Sequence, residues 1–170
     1  MSEILDRAGI PFVLIGGFAV NYYQFSRATG DVDFMMTEEN FDRAWPLLER
    51  AECQLMVRTP LFATFKGNVP PYFLVDILFV EENTMKGVLE KGKEAEVAGR
   101  KLHVPSLEHL LALKLHALKN NLEHRESKDL RDIIEMAREN RLDAKSTSFQ
   151  KLCLEYGTPE IYEKIRRAFP

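Results

Sequence analysis

The feature that most constrains this chain is a pair of glycines followed by two alternating acids. Gly16-Gly17 closes a compact apolar run, Pro11-Phe12-Val13-Leu14-Ile15, and thirteen residues later comes Asp31-Val32-Asp33-Phe34. The apolar run reads as a buried strand, and the glycines read as its turn into a helix. Side chains alternate across a strand, so Asp31 and Asp33 project to one face and Val32 and Phe34 to the other. Two neighbouring carboxylates repel, and a protein tolerates them where a cation sits between. A later acid, Asp76, is the only charge in the apolar run from Tyr72 to Val80. Burying a lone carboxylate there would cost on the order of several kcal/mol unless something pairs with it. If its strand lies beside the first, Asp31, Asp33 and Asp76 converge. They then form a set of hard oxygen donors with room for water, which suits Mg2+. Two ions held this way could activate an acceptor hydroxyl and stabilise a leaving pyrophosphate. The alternative is that Asp31 and Asp33 are turn residues beside Gly30 and that Asp76 pairs with an arginine.

Backbone amides at a strand-to-helix turn point outward, and the helix N-terminus adds partial positive charge, so Gly16-Gly17 suits an anion. Glycine also lets the backbone approach a phosphate closely. Arg27 and Thr29 lead into the Asp31 strand. An arginine there can pair with phosphate oxygens in bidentate fashion, or it can neutralise the carboxylates.

The remaining pattern predicts an α+β chain. Residues 1–8 read as a short helix, 18–25 as a helix, 31–36 as a strand and 37–51 as a helix capped by Thr37. Pro46 falls inside that last helix, so either it is kinked or its start is misplaced. Residues 54–58 and 62–65 alternate as antiparallel strands, 72–80 forms the third major strand, and 94–97 with 101–104 flank Gly99 as a hairpin. From Ser106 the period becomes helical. Helices are expected over 106–118, 128–139 and 149–156, the last stopped by Gly157, with a fourth starting at Thr158-Pro159. The expected organisation is therefore a small mixed sheet with flanking helices over 1–104, followed by a helical region, 105–170, packed on it.

Composition narrows the classes. At 170 residues and 45% apolar the chain can build a real core. No apolar run approaches the roughly 18 residues of a membrane helix, and the N-terminus is a polar helix start rather than a secretory signal. A net charge of −3 argues against a broad nucleic-acid-coating surface. Neither a membrane nor a DNA partner is expected. Cys53 and Cys153 stand apart, outside any ligand spacing, and read as reduced thiols of a cytoplasmic protein. The four histidines also lack ligand spacing and read as surface residues.

In the helical region Leu107, Leu110, Leu111 and Leu118 form an apolar stripe with Lys114 in its middle. Either the ammonium snorkels to water or Lys114 reaches a cleft and contacts a triphosphate. In the segment Glu126-Ser127-Lys128-Asp129-Leu130-Arg131-Asp132-Ile133, the stripe of Leu130, Ile133, Ile134 and Ala137 is flanked by Asp129. Asp132 projects nearly opposite it. Asp129 is thus the candidate for facing the cleft or pairing with Lys114, and Lys128 and Arg125 can add positive charge. A plain solvated charged face is the alternative.

The stretch Leu14-Ile15-Gly16-Gly17 … Arg27-Ala28-Thr29-Gly30-Asp31-Val32-Asp33-Phe34 resembles the hG[GS] … Dh[DE]h signature of the polymerase-β-type nucleotidyltransferase superfamily. Its R-x-T-x-D-x-D wording is closest to the branch of AbiEii-type toxins and related small nucleotidyltransferases. The resemblance implies that Gly16 and Gly17 hold the triphosphate and that Asp31 and Asp33 bind two Mg2+ ions. Asp76 would be the third ligand and the base. It also implies a nucleotide-binding role for the helix lysine, Lys114, and for the K-D-x-x-D segment with Lys128 and Asp129. Where the family often has serine, Gly17 leaves only backbone amide to touch phosphate.

The implied activity is transfer of a nucleoside monophosphate from an NTP, such as ATP, to an acceptor hydroxyl on tRNA, protein or a small molecule. The branch further implies a toxin with a cognate antitoxin as partner. Two alternatives stand beside it: an antibiotic-modifying nucleotidyltransferase, and a non-catalytic nucleotide-binding or interaction module that kept the fold.

Overall fold

A computed structural model of the chain describes residues 1–23, 28–67, 74–97, 99–120 and 126–169. The chain divides into two compact units. One comprises Met1–Ala19 with residues 27–105, and the other Val20–Ser26 with Ser106–Pro170.

The first unit is built on a five-stranded mixed sheet. Its elements in chain order are α1 (Ser2–Arg7), β1 (Val13–Leu14), the start of α2 (Gly16–Tyr23), β2 (Val32–Met36), α3 (Glu38–Arg50), β3 (Gln54–Arg58), β4 (Phe62–Lys66), β5 (Leu74–Phe79), α4 (Glu82–Lys91), β6 (Lys93–Val97) and β7 (Arg100–Val104). The strand order is β1-β2-β5-β4-β3, and β6-β7 form a separate hairpin sheet. Only the β2–β5 pair is parallel; β1–β2, β4–β5 and β3–β4 are antiparallel. Parallel neighbours require a crossover, and here it is the whole stretch from α3 through β4.

Strand alternation separates the two faces of the sheet. Phe34 and Met36 of β2, Ala63 and Phe65 of β4, and Val75, Ile77 and Phe79 of β5 enter one buried cluster. Leu5 of α1 and Phe41, Ala44 and Leu48 of α3 close that cluster from above the sheet. Helix α3 starts where its sequence says it should: the Thr37 side chain accepts from the Asn40 amide at 3.1 Å, and Glu38 and Glu39 lie in the first turn, which the helix dipole favours. Pro46 leaves α3 continuous from Glu38 to Arg50. The residue is exposed, and the carbonyl it deprives of a partner belongs to the equally exposed Asp42.

Helix α4 falls on a stretch for which no element was expected. Only Met85 and Val88 are buried on it, too few apolar positions to mark a period. Strand β2 begins at Val32, so Asp31 stands in the bend just before it.

The second unit is helical: α5 (Leu107–Asn120), a π-helical turn (Glu126–Leu130), α6 (Arg131–Glu139), α7 (Thr147–Tyr156) and α8 (Pro159–Arg167). Ser146 caps α7 by accepting from the Phe149 amide, and Thr158 caps α8 by accepting from the Ile161 amide. Leu110, Leu111, Leu115, Leu118, Ile133, Met136, Phe149, Cys153, Ile161 and Ile165 are among its buried apolar residues. Among the described residues no helix is long and apolar enough to cross a membrane. The mixed α+β class expected from the pattern is the one observed.

Candidate active site

The site is set by register. Strands β1 and β2 pair with Val13 opposite Met35 and Leu14 opposite Phe34. One residue further the Ile15 amide donates to the Asp33 carbonyl at 2.9 Å. Gly16, the next residue, has φ +61 and opens α2. A Cβ added to Gly16 would fall 1.9 Å from Asp33 Oδ2, so the bare Cα lies directly against that carboxylate. A Cβ on Gly17 would lie 2.4 Å from Thr29 Oγ1, and the Thr29 hydroxyl donates to the Asp31 carbonyl at 3.3 Å. The glycine pair is therefore required first by these two neighbours: any side chain would displace Asp33 and Thr29.

Across the parallel β2–β5 pair, Asp33 stands in register with Asp76. Across the antiparallel β4–β5 pair, Asp76 stands in register with Thr64. The Thr64 hydroxyl donates to Asp76 Oδ1 at 2.5 Å. All three side chains alternate with core residues on their own strands, so they share the sheet face opposite the buried cluster. All three are half-buried. On the same face β4 also carries Phe62 and Lys66, opposite Leu78 and Leu74 of β5.

Asp33 and Asp76 are thus brought together as the sequence expectation required. Asp31 is not gathered with them: it is exposed at the bend, and among the described residues no three His, Cys, Asp or Glu side chains form a metal-holding group. Arg27 lies outside the described residues. Thr64 was not singled out from the sequence. Its period-two strand was legible, but its partner was not.

The donor set bears on metal binding. Two carboxylates in register on adjacent strands fit a hard divalent cation of the Mg2+ type, which binds through one or two carboxylates and leaves its other positions to phosphate oxygens and water.

In the second unit Lys114 is buried within the α5 stripe, and its ammonium does not snorkel. Lys114 Nζ lies 2.6 Å from Asp129 Oδ1 and 2.9 Å from Asp132 Oδ2. Pairing with Asp129 was expected, but Asp132 had been assigned to the opposite side of its helix and is instead only 1% exposed. The buried stripe of α6 is Asp132, Ile133, Met136 and Ala137, not the one centred on Leu130 and Ile134, and it carries Asp132 three residues after Asp129, on a neighbouring position of the same helix face. Lys128 is exposed. The histidines are not uniformly superficial either, since His103 Nε2 is buried and His109 bonds to Ser106.

Comparison with known proteins gives a consistent result. The profile of the nucleotidyl transferase AbiEii toxin family, of a type IV toxin–antitoxin system, matches residues 55–170. That is more than half of the chain, and the chain belongs to this family. It is accordingly a nucleotidyltransferase. No curated protein matches it. Among solved structures, ANT(2″)-Ia in complex with adenylyl-2″-tobramycin aligns with a TM-score of 0.64 at 14% identity, covering 99% of this chain and 94% of the other. An antigenic nucleotidyltransferase-like protein from Paracoccidioides brasiliensis aligns at 0.59 and 18% identity, covering 98% and 88%. The lincosamide adenylyltransferase LnuA, lincomycin-bound, aligns at 0.52 and 17% identity, covering 78% and 92%. At these identities the three structures speak for the fold.

Proposed function

We propose that this member of the AbiEii family transfers a nucleoside monophosphate from an NTP to an acceptor hydroxyl at the Asp33–Asp76 pair, as the toxin of a toxin–antitoxin pair. The observation that carries the reading is the register of β2 on β5. It sets the two carboxylates side by side, with the bare Gly16 backbone against one of them. Asp33 and Asp76 would hold Mg2+, and Asp31, exposed at the bend just upstream of β2, would join them as the third acid only once the ion draws it in. Bound divalent metal supplies charge neutralisation for the phosphates and lowers the cost of ionising the acceptor hydroxyl.

The chain's own residues divide the remaining work. The amides at the start of α2, freed of side chains at Gly16 and Gly17, offer donors and partial positive charge to the triphosphate. Thr29, packed on Gly17, and Arg27 belong to this phosphate end. Asp76 accepts the proton of the attacking hydroxyl. Lys128, exposed in the second unit, stays in the proposal as a nucleotide-binding residue, whereas Lys114 and Asp129, buried and paired together with Asp132, hold the helical unit together instead of touching nucleotide. The adenylyl product named for one fold neighbour supports ATP as the first nucleotide to try. The acceptor is a hydroxyl of tRNA, protein or a small molecule, and a cognate antitoxin is the expected partner.

The test is incubation with each labelled NTP, Mg2+ and cell extract, followed by identification of what becomes labelled. Asp33→Asn and Asp76→Asn should each abolish labelling while circular dichroism stays that of the wild type. Full labelling by either variant would remove the catalytic assignment.

A further inference from the structure

We infer that Thr64 is a positioning residue for the reaction: its hydroxyl holds the Asp76 carboxylate in the orientation that metal binding requires. The inference rests on the proposed role of Asp76 and adds a residue that neither the motif nor the family match assigns.

The argument is geometric. One row of side chains crosses the sheet on the face opposite the core. It runs from Val57 of β3 through Thr64 of β4 and Asp76 of β5 to Asp33 of β2. The backbone of Thr64 is locked on both sides, since β4 pairs with β3 and with β5. A β-branched side chain is also stiff at its first torsion. The hydroxyl is therefore delivered from a nearly fixed point. It donates to Asp76 Oδ1 at 2.5 Å, at the short end of the range for a hydroxyl on a carboxylate.

A carboxylate accepts at two oxygens with about four lone-pair directions. Thr64 takes one of them on Oδ1, from the side away from Asp33. The carboxylate can no longer spin freely about its terminal torsion, and its remaining directions are left for ligands. Loss of a group that orients a metal-binding side chain in this way typically costs roughly 10–100-fold in metal affinity or activity.

A plain cross-strand contact would look the same in a static view, and the two roles separate in solution. A contact that only stabilises the sheet would move the melting temperature and leave metal binding alone. A positioning role moves metal binding in a way that depends on the hydroxyl.

The experiment titrates Mn2+ into the full chain by electron paramagnetic resonance, with a non-hydrolysable ATP analogue present. Wild type, Asp33→Asn, Thr64→Val, Thr64→Ala and Thr64→Ser are compared, and circular dichroism is recorded for each. Thr64→Val should weaken Mn2+ binding roughly 10-fold or more, with kcat falling in parallel and KM for NTP little changed. Thr64→Ser, which keeps the hydroxyl, should restore most of it. If Thr64→Val does not fold, Thr64→Ala carries the same expectation without the methyl that would press on Oδ1.

Equal Mn2+ affinity in wild type and in the folded hydroxyl-free variant would overturn the inference while leaving the acid pair in place. So would equal weakening in Thr64→Ser and Thr64→Val. If instead the wild type binds no Mn2+, or Asp33→Asn binds it unchanged, the reading of the site itself fails, and this inference fails with it.

Discussion

Replacing Lys114 by methionine probes the most heavily charged buried point among the described residues. Lys114 is 8% exposed and both of its acid partners are 1% exposed, with nitrogen–oxygen distances of 2.6 and 2.9 Å. At an effective dielectric constant of about 20, each contact corresponds to roughly 6 kcal/mol of Coulomb attraction. Against it stands the desolvation of three ions, on the order of several kcal/mol apiece, so the intact triad adds little net stability. Removing the ammonium alone is another matter, because the desolvation of Asp129 and Asp132 remains and the attraction does not.

Lys114→Met keeps the length of the side chain and should cost about 3–5 kcal/mol, the penalty for breaking a buried ion pair from one side. That is a large fraction of the total stability of an ordinary domain. Urea unfolding followed by far-ultraviolet circular dichroism reports the helices of both units together. Trp45, stacked on Phe41 in the first unit, gives a separate fluorescence signal for that unit. The triple variant Lys114→Met/Asp129→Asn/Asp132→Asn removes all three charges and should recover most of the loss. A single variant within about 1 kcal/mol of wild type would refute the reasoning, as would a triple variant no more stable than the single.

Gly16→Ala should remove Mn2+ binding and labelling activity outright, because its Cβ would occupy the space of Asp33 Oδ2. The left-handed backbone adds a stability cost of about 1–2 kcal/mol, readable in the same urea titration. Gly17→Ala should be partly rescued by Thr29→Gly, since the clash is with the Thr29 side chain; a double-mutant cycle with no coupling would contradict the packing. Burial pushes the Cys153 thiol up to about 12 from an ordinary 9.0. Between those values the unfolded chain loses a proton that the native chain keeps, so stability falls as pH rises, by about 1.4 kcal/mol per unit. Cys153→Ala should lack that part of the alkaline slope in denaturation measured across the window. Ser146→Ala and Thr158→Ala remove helix caps and should each cost about 1 kcal/mol by thermal unfolding.

What could be read from residues alone follows the range of the interactions involved. Helix α3 was legible from Thr37 and its acids, and the β6–β7 hairpin from Gly99, because those signals are local. Lys114 with Asp129 was legible because both sit against apolar stripes of regular period. Asp132 was not, because the expected stripe ran through Leu130 and Ile134 and left out Met136, whereas the buried face is Asp132, Ile133, Met136 and Ala137. The acid face was half legible. Alternation predicts which side of its own strand Asp33 or Thr64 occupies, but pairing between β2, β4 and β5 is non-local. No pattern within a strand reveals that Asp76 stands between the other two. Helix α4 shows the opposite failure: only Met85 and Val88 are buried on it, and two buried residues make no detectable period.

The same register explains why a motif with a gap can mark a site with little tolerance in space. Between Gly17 and Asp31 the chain completes α2 to Tyr23 and returns to set Thr29 against Gly17. The count of thirteen does not by itself bring Gly16 to Asp33. What brings Gly16 to the Asp33 carboxylate is the ladder from Val13–Met35 through Leu14–Phe34 to the Ile15–Asp33 hydrogen bond. That ladder ends where the chain turns into α2 whatever the length between. A one-residue slip of β2 against β5 would send Asp33 to the apolar face of the sheet and Phe34 off it. There the charge would be buried among Val75, Ile77 and Phe65, so the core enforces the register on which the acid pair depends. One residue inserted between Ile15 and Gly16, which moves the turn against a fixed ladder, should consequently abolish labelling activity with the sheet intact by circular dichroism. Activity surviving that insertion would mean that contact between Gly16 and Asp33 is dispensable and that the geometry of the site is held by something else.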